Sequence, residues 1–136
     1  MYPPELVAPM KTDLTAVGFE DLKTPDQVDK AFAQSGTVLC MVNSVCGCAA
    51  GAARPGLKKS LTGAKRPDKL VAVFAGVDFE AVAQARQHFL PYPPSSPAIA
   101  LFKDGKLVHF VERHHIEGRT ADMIAEHLQM AYEEYC

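Results

Sequence analysis

No apolar run in the sequence approaches the roughly 20 residues that a helix needs to cross a bilayer, so a membrane-spanning protein is not expected. Charge of one sign is also lacking. Lys and Arg total 14 against 16 Asp and Glu, and the net charge of -2 offers no broad field for nucleic acid or an anionic membrane surface. The opening Met1-Tyr2-Pro3-Pro4-Glu5 has neither the basic start nor the apolar stretch of a secretion signal. Cys136 is the last residue and cannot belong to a prenylation box. Internal repeats and low-complexity segments are absent. Together these point to the cytoplasm, a reducing compartment where cysteines rarely serve as disulfide staples.

What remains is a chain of 136 residues, 48% hydrophobic and 22% charged, a length and composition suited to one folded domain over residues 1–136. Thr24, Pro25 and Gln27 mark a helix start, with Val28, Ala31 and Phe32 on one face and Ser35-Gly36 as the stop. Residues 37–42 and 70–75 are near-continuous apolar runs, the pattern of strands buried on both faces. A helix is expected over 48–61, interrupted at Pro55-Gly56. Another begins at Asp78, which is placed to cap it, and closes at Pro91. Residues 98–102 and 107–111 read as a hairpin turning at Asp104-Gly105. Thr120 caps a last helix, whose apolar face runs through Ile124, Leu128, Ala131, Tyr132 and Tyr135. The first 23 residues give weaker signals: a short helix over 5–14 broken by Pro9, and an edge strand within 17–22. The element order predicts an α/β fold: a mixed central sheet with helices on both faces, crossover units first and a hairpin and helix last. This is the thioredoxin-like order.

The four cysteines are Cys40, Cys46, Cys48 and Cys136. Cys40 falls inside a buried strand and is expected in the core. Cys136 is expected to be exposed and incidental. Cys46 and Cys48, separated by Gly47, stand where a buried strand gives way to a helix. The carboxyl end of such a strand is where open sheets place their chemistry, and the first turn of a helix offers free amides and partial positive charge. A thiolate there is favoured over the thiol. Thiol–disulfide chemistry is therefore the leading reading, with Cys46, at the helix start, as nucleophile and Cys48, further in, as the resolving thiol. Gly47 eases the bending that a bond between them would require. Two other readings stay open: a pair of ligands to zinc or an iron–sulfur cluster, and a structural pair in a scaffold protein. Such metal sites usually need four ligands, and no second paired motif is present.

Asn43 and Ser44 precede the pair, placed to bond the turn backbone or to position the reactive sulfur. Pro97 opens a strand after Ser95-Ser96. Tyr92 is placed to pack either over the site or within its own loop. His109 is expected on a strand, partly packed; His114-His115 in a polar loop; His88 and His127 solvated on helices. The basic residues between Lys58 and Lys69 read as a solvated helix end and loop. No residue offers itself as a buried general base for Cys46.

The segment from Val42 to Gly51, with Ala53-Arg54-Pro55, resembles the bacilliredoxin family. Tyr2-Pro3-Pro4, Met10 and the stretch from Ser96-Pro97 to Phe102-Lys103-Asp104-Gly105 are also similar, so the likeness spans nearly the whole chain. The resemblance implies a thioredoxin-like fold and removal of a low-molecular-weight thiol, bacillithiol in this family, from protein mixed disulfides. It implies weak disulfide isomerase activity too. On that basis Cys46 takes up the small thiol, Cys48 resolves it, and Pro97 follows a cis peptide bond. Proteins carrying mixed disulfides are the expected partners, with no bound cofactor, nucleic acid or membrane.

Overall fold

A computed structural model describes residues 2–136. The elements run, in chain order, α1 (Pro4–Thr15), β1 (Glu20–Asp21), α2 (Pro25–Phe32), β2 (Thr37–Asn43), a π-helical turn (Ala49–Ala53), α3 (Arg54–Ser60), β3 (Lys69–Phe74), α4 (Phe79–His88), β4 (Ala98–Lys103), β5 (Lys106–Val111), α5 (Arg113–Ile116) and α6 (Ala121–Tyr135). The five strands form one sheet in the order β1-β3-β2-β4-β5. β3 is parallel to β1 and β2; β4 is antiparallel to β2 and β5. The mixed sheet with crossovers first and a hairpin last is the expected one.

β2 lies at the centre, and all seven of its residues are buried. Its alternation divides the core. Leu39 and Met41 face one layer with Leu14 of α1, Leu57 of α3 and Leu128 and Tyr132 of α6. Val38, Cys40 and Val42 face the other, with Val28 and Phe32 of α2 and Val82 and Ala85 of α4. Leu57 and Leu39 are fully inaccessible; truncating such a side chain to alanine costs about 2–5 kcal/mol. α3 lies close against α6 because residue 56 is glycine. A Cβ there would stand 2.6 Å from the Ile124 Cβ and 2.8 Å from the Ala121 carbonyl oxygen.

Helix starts follow their sequence signals in most places. Thr24 Oγ1 accepts from the Gln27 amide at 3.2 Å, and Gln27 Oε1 accepts at 2.8 Å from the amide of Lys23, one residue before the cap. Thr120 Oγ1 accepts from the Met123 amide at 3.1 Å. At α4 the expectation fails. The Asp78 side chain makes no cap bond and instead pairs with Lys11 Nζ at 3.1 Å. Asp104 (φ 50°) and Gly105 (φ 81°) both take positive φ, as a two-residue turn matching strand twist requires.

Two further expectations are corrected. α1 continues through Pro9 to Thr15: Pro9 lies on the exposed side of the helix and forfeits one main-chain bond without breaking it. The irregularity expected at Pro55-Gly56 lies earlier. Residues 49–53 adopt the wider π turn, and the Arg54 amide bonds back to the Ala49 carbonyl. Pro55 then falls in the first turn of α3, where its missing N–H costs little.

Candidate active site

The sheet delivers Cys46 and Cys48 to its edge of chemistry by a short, well-anchored route. β2 ends at Asn43, whose carbonyl accepts from the Ala75 amide at 3.0 Å. Its buried side chain turns inward: Nδ2 donates to the Met10 carbonyl at 3.1 Å, and Oδ1 accepts from the Ser44 amide at 2.9 Å. Ser44, also buried, accepts from the Cys46 amide through Oγ at 3.0 Å. Asn43 and Ser44 thus bond the turn backbone, the first of the two roles expected of them.

Beneath the turn sits Arg54, only 4% exposed. Its Nη1 donates to Asn43 Oδ1 at 2.9 Å and to the Ser44 carbonyl at 2.8 Å, and its Nε lies 3.4 Å from Asp13 Oδ2. Lys58 Nζ shares the same carboxylate at 2.5 Å. The π turn helps bring this guanidinium under the loop, since Arg54 stands at its end. Lys59 pairs with Asp122 and Lys69 with Glu20, so much of the basic stretch is ion-paired, where the sequence suggested a solvated helix end and loop.

Helical structure begins at Gly47, and the Cys46 carbonyl accepts from the Ala49 and Ala50 amides at 3.0 and 3.3 Å. The two sulfurs lie 2.9 Å apart as free thiols. Cys48 packs against the core layer beneath it. A Cβ at Gly47 would meet nothing within 4 Å, so the approach to the pair is open.

Arg113 completes the site. Its Nη2 donates to Cys46 Sγ at 3.2 Å and its Nη1 to the Ser96 carbonyl at 3.4 Å. Its backbone amide donates to Ser95 Oγ at 2.6 Å, and its Nε pairs with Glu117 Oε1 at 2.5 Å. The Ser96–Pro97 peptide is cis, as the resemblance implied, and so is Leu90–Pro91. One side chain therefore ties the Pro97 loop to the first cysteine.

The electrostatics separate the two thiols. Cys46 is held below the ordinary cysteine range, first by a hydrogen bond from the Cys48 thiol and then by the Cys48 backbone amide; desolvation opposes them, and the Arg113 charge and the Ala49 amide add smaller support. Cys48 is pushed up, chiefly by burial and then by its hydrogen bond to Cys46 and the charge of Cys46. Cys40 is fully buried and pushed up by desolvation, and it takes no part in the site. Cys136 is exposed at the terminus.

Several side chains lie elsewhere than the sequence placed them. Tyr92 stacks on Phe110, ring centroids 4.7 Å apart, not over the cysteines. His114 and His115 lie in helix α5, not a loop, and His115 Nδ1 accepts from the Glu112 amide at 3.3 Å. His88 is half-buried, with Nε2 2.7 Å from Asp29 Oδ1. His127, exposed on α6, and His109, half-buried on β5, lie where the sequence put them, and their Nε2 atoms meet at 2.8 Å.

A family model described as disulphide isomerase matches residues 2–136. A bacilliredoxin of Cytophaga hutchinsonii is 64% identical over 134 residues, covering 98% of this chain and 99% of the relative. The chain belongs to the bacilliredoxin family. A bacilliredoxin of Bacillus cereus is 51% identical over 132 residues, covering 97% of this chain and 92% of its own. The thioredoxin-like fold of this bacilliredoxin is independently evident. Oxidised mitochondrial thioredoxin 3 of Saccharomyces cerevisiae superposes with a TM-score of 0.60 over 90% of this chain and 98% of that chain, at 16% identity. A yeast mitochondrial protein, solved in a study of 1-Cys peroxiredoxin thiol resolution, gives a TM-score of 0.61 at 17% identity, covering 85% and 94%.

Proposed function

We propose that this bacilliredoxin removes a low-molecular-weight thiol of the bacillithiol type from protein mixed disulfides, with Cys46 as nucleophile and Cys48 as resolving thiol. One observation carries the reading. Cys46 Sγ sits 2.9 Å from Cys48 Sγ and 3.2 Å from the Arg113 guanidinium, so a thiolate at Cys46 has a donor on each side and helix amides behind it.

The Cys46 thiolate attacks the small thiol's sulfur in the mixed disulfide. That S–S bond breaks, the client cysteine leaves as a thiolate and takes a proton from water, and the small thiol is now bound to Cys46. No net oxidation has occurred. Capping Cys46 abolishes its negative charge and its demand for the Cys48 proton, two of the causes that hold the Cys48 thiol up. Adduct formation thereby activates the resolving sulfur. The Cys48 thiolate then displaces the small thiol and forms a Cys46–Cys48 disulfide, which a second thiol or dithiol reductant reopens. A disulfide across one intervening residue closes a tight ring outside the usual geometry, and such bonds are the exchangeable kind. Disulfide isomerisation in client proteins uses the same attack by Cys46. Asn43, Ser44 and Gly47 position the sulfurs, and Ser96–Pro97 presents a carbonyl to Arg113.

No helix among the described residues is long and apolar enough to cross a membrane. We assign the protein to the cytoplasm, where a reducing thiol pool keeps such a dithiol open. Among the described residues the convergent candidate metal ligands are Glu112, His114 and His115, which include neither cysteine of the pair.

Mass spectrometry after exposure to a protein carrying a small-thiol adduct tests the roles. Cys46→Ala abolishes transfer, whereas Cys48→Ala accumulates the adduct on Cys46. Undiminished transfer by Cys46→Ala would refute the assignment.

A further inference from the structure

We propose that His109 of β5 and His127 of α6 together bind a divalent transition-metal ion of the zinc class through their Nε2 atoms. The site shares no residue with the cysteine centre and stands whether or not the exchange reaction does. Of the five histidines in the chain, four lie on β5, α5 and α6. His109, His115 and His127 line one hollow of about 200 Å³, with Val111, Met123 and Leu128 among its other walls. Two rings from different elements bring the same nitrogen to one point there. Their Nε2 atoms are 2.8 Å apart and their ring centroids 4.9 Å apart, with the ring planes at 36°.

Two neutral imidazoles meeting in this way share one proton, carried on the Nε2 of one ring. A metal ion takes that proton's place once both rings carry theirs on Nδ1. Tetrahedral bonds of about 2.0–2.1 Å set two such nitrogens about 3.3 Å apart. A small turn of the exposed His127 side chain opens the present separation to that value. Partial desolvation holds both rings below the ordinary histidine range, so near neutral pH they are in the uncharged form that ligates metal. Imidazole suits zinc, nickel and copper, whereas magnesium and calcium take oxygen ligands. His115 is not a third ligand. Its Nδ1 accepts from the Glu112 amide at 3.3 Å, which fixes the proton of its neutral ring on Nε2 and leaves that nitrogen no lone pair. The group formed by Glu112, His114 and His115 is committed through the same bond and through the Glu112 carboxylate, which caps α5. Water therefore completes the coordination, and the ion is exchangeable. Two nearby charges act in opposite senses: Glu134 favours a cation at His109, and Arg119 opposes one at His127.

Zinc alone is titrated into the full chain carrying Cys46→Ser, Cys48→Ser and Cys136→Ser, so that thiols outside the core do not compete. Calorimetry reads the affinity, and NMR of the histidine ring nitrogens reads the ligands. The first ion is expected to shift the His109 and His127 Nε2 signals together, with excess magnesium failing to displace it. His127→Gln weakens binding by about tenfold or more, since altering even the groups that support a ligand costs that much. Arg119→Gln tightens it severalfold at low salt, because a cation beside the ion is removed. His114→Gln leaves it unchanged. Should His109→Gln fold poorly, the variant at exposed His127 decides alone. No saturable binding, equal affinity in His127→Gln, or loss of binding in His114→Gln would each overturn the site.

Discussion

Replacing Arg54 with leucine tests whether the buried network beneath the turn, rather than the turn itself, holds the cysteines in place. The Arg54 guanidinium is 4% exposed and donates at 2.9 and 2.8 Å to Asn43 Oδ1 and the Ser44 carbonyl. Hydrogen bonds to a charged group are worth about 1.5–3 kcal/mol each. Losing both also strips the Ser44 carbonyl of this donor and Asp13 of one of its two cations. Against that loss, leucine relieves the desolvation of a buried cation, a cost that depresses the Arg54 pKa and amounts to several kcal/mol per ion. The balance leaves a net destabilisation of about 2–4 kcal/mol. With a urea dependence of about 1.5 kcal/mol per molar, the unfolding midpoint falls by about 1.3–2.7 M. Cys46 alkylation near neutral pH slows as well, because the strand end that supports the Ser44–Cys46 bond loosens. A midpoint that stays within about 0.5 M, or rises, would refute the reasoning.

Arg113→Gln removes a cation 3.2 Å from Cys46 Sγ. The Cys46 titration midpoint rises and exchange near neutral pH slows severalfold, with the difference vanishing once the pH exceeds the thiol range; stopped-flow exchange across pH checks this. Gly56→Ala drives a Cβ to within 2.6 Å of Ile124, and overpacking of this kind costs about 1–3 kcal/mol, read as a lowered denaturation midpoint. His109 and His127 are both held below the ordinary histidine range, chiefly by partial desolvation of the rings, with the neighbouring imidazole also contributing at His109. The unfolded chain therefore binds protons first as pH falls through the ordinary histidine range, and stability declines there. His109→Gln flattens that decline between pH of about 7.5 and 5.5 in denaturant titrations.

The fold was legible wherever periodicity and punctuation agreed. The apolar runs at β2 and β3, the Asp104-Gly105 turn and the capped helices α2 and α6 each carry a local signal that tertiary packing reinforces. Pro9 misled because the burial of Val7 and Leu14 offsets proline's local cost and holds α1 continuous. Asp78 misled because a lysine from α1 competes for its carboxylate. At the site, Cys46 and Cys48 were legible from the strand–helix junction, and so were the turn bonds of Asn43 and Ser44. Arg113 was not: it is separated from Cys46 by 67 residues and belongs to a four-residue helix without a distinctive pattern. Arg54 could have been suspected, since a cation so close after a proposed redox pair, in an otherwise small-residue stretch, has few places to go.

The most direct measurement is the pH dependence of alkylation at each cysteine of the reduced protein, resolved by peptide mass spectrometry. Cys46 should become reactive well before a free cysteine does, and Cys48 only after it. Reactivity of Cys48 first, or of Cys46 at the pH of an unperturbed thiol, would contradict the account.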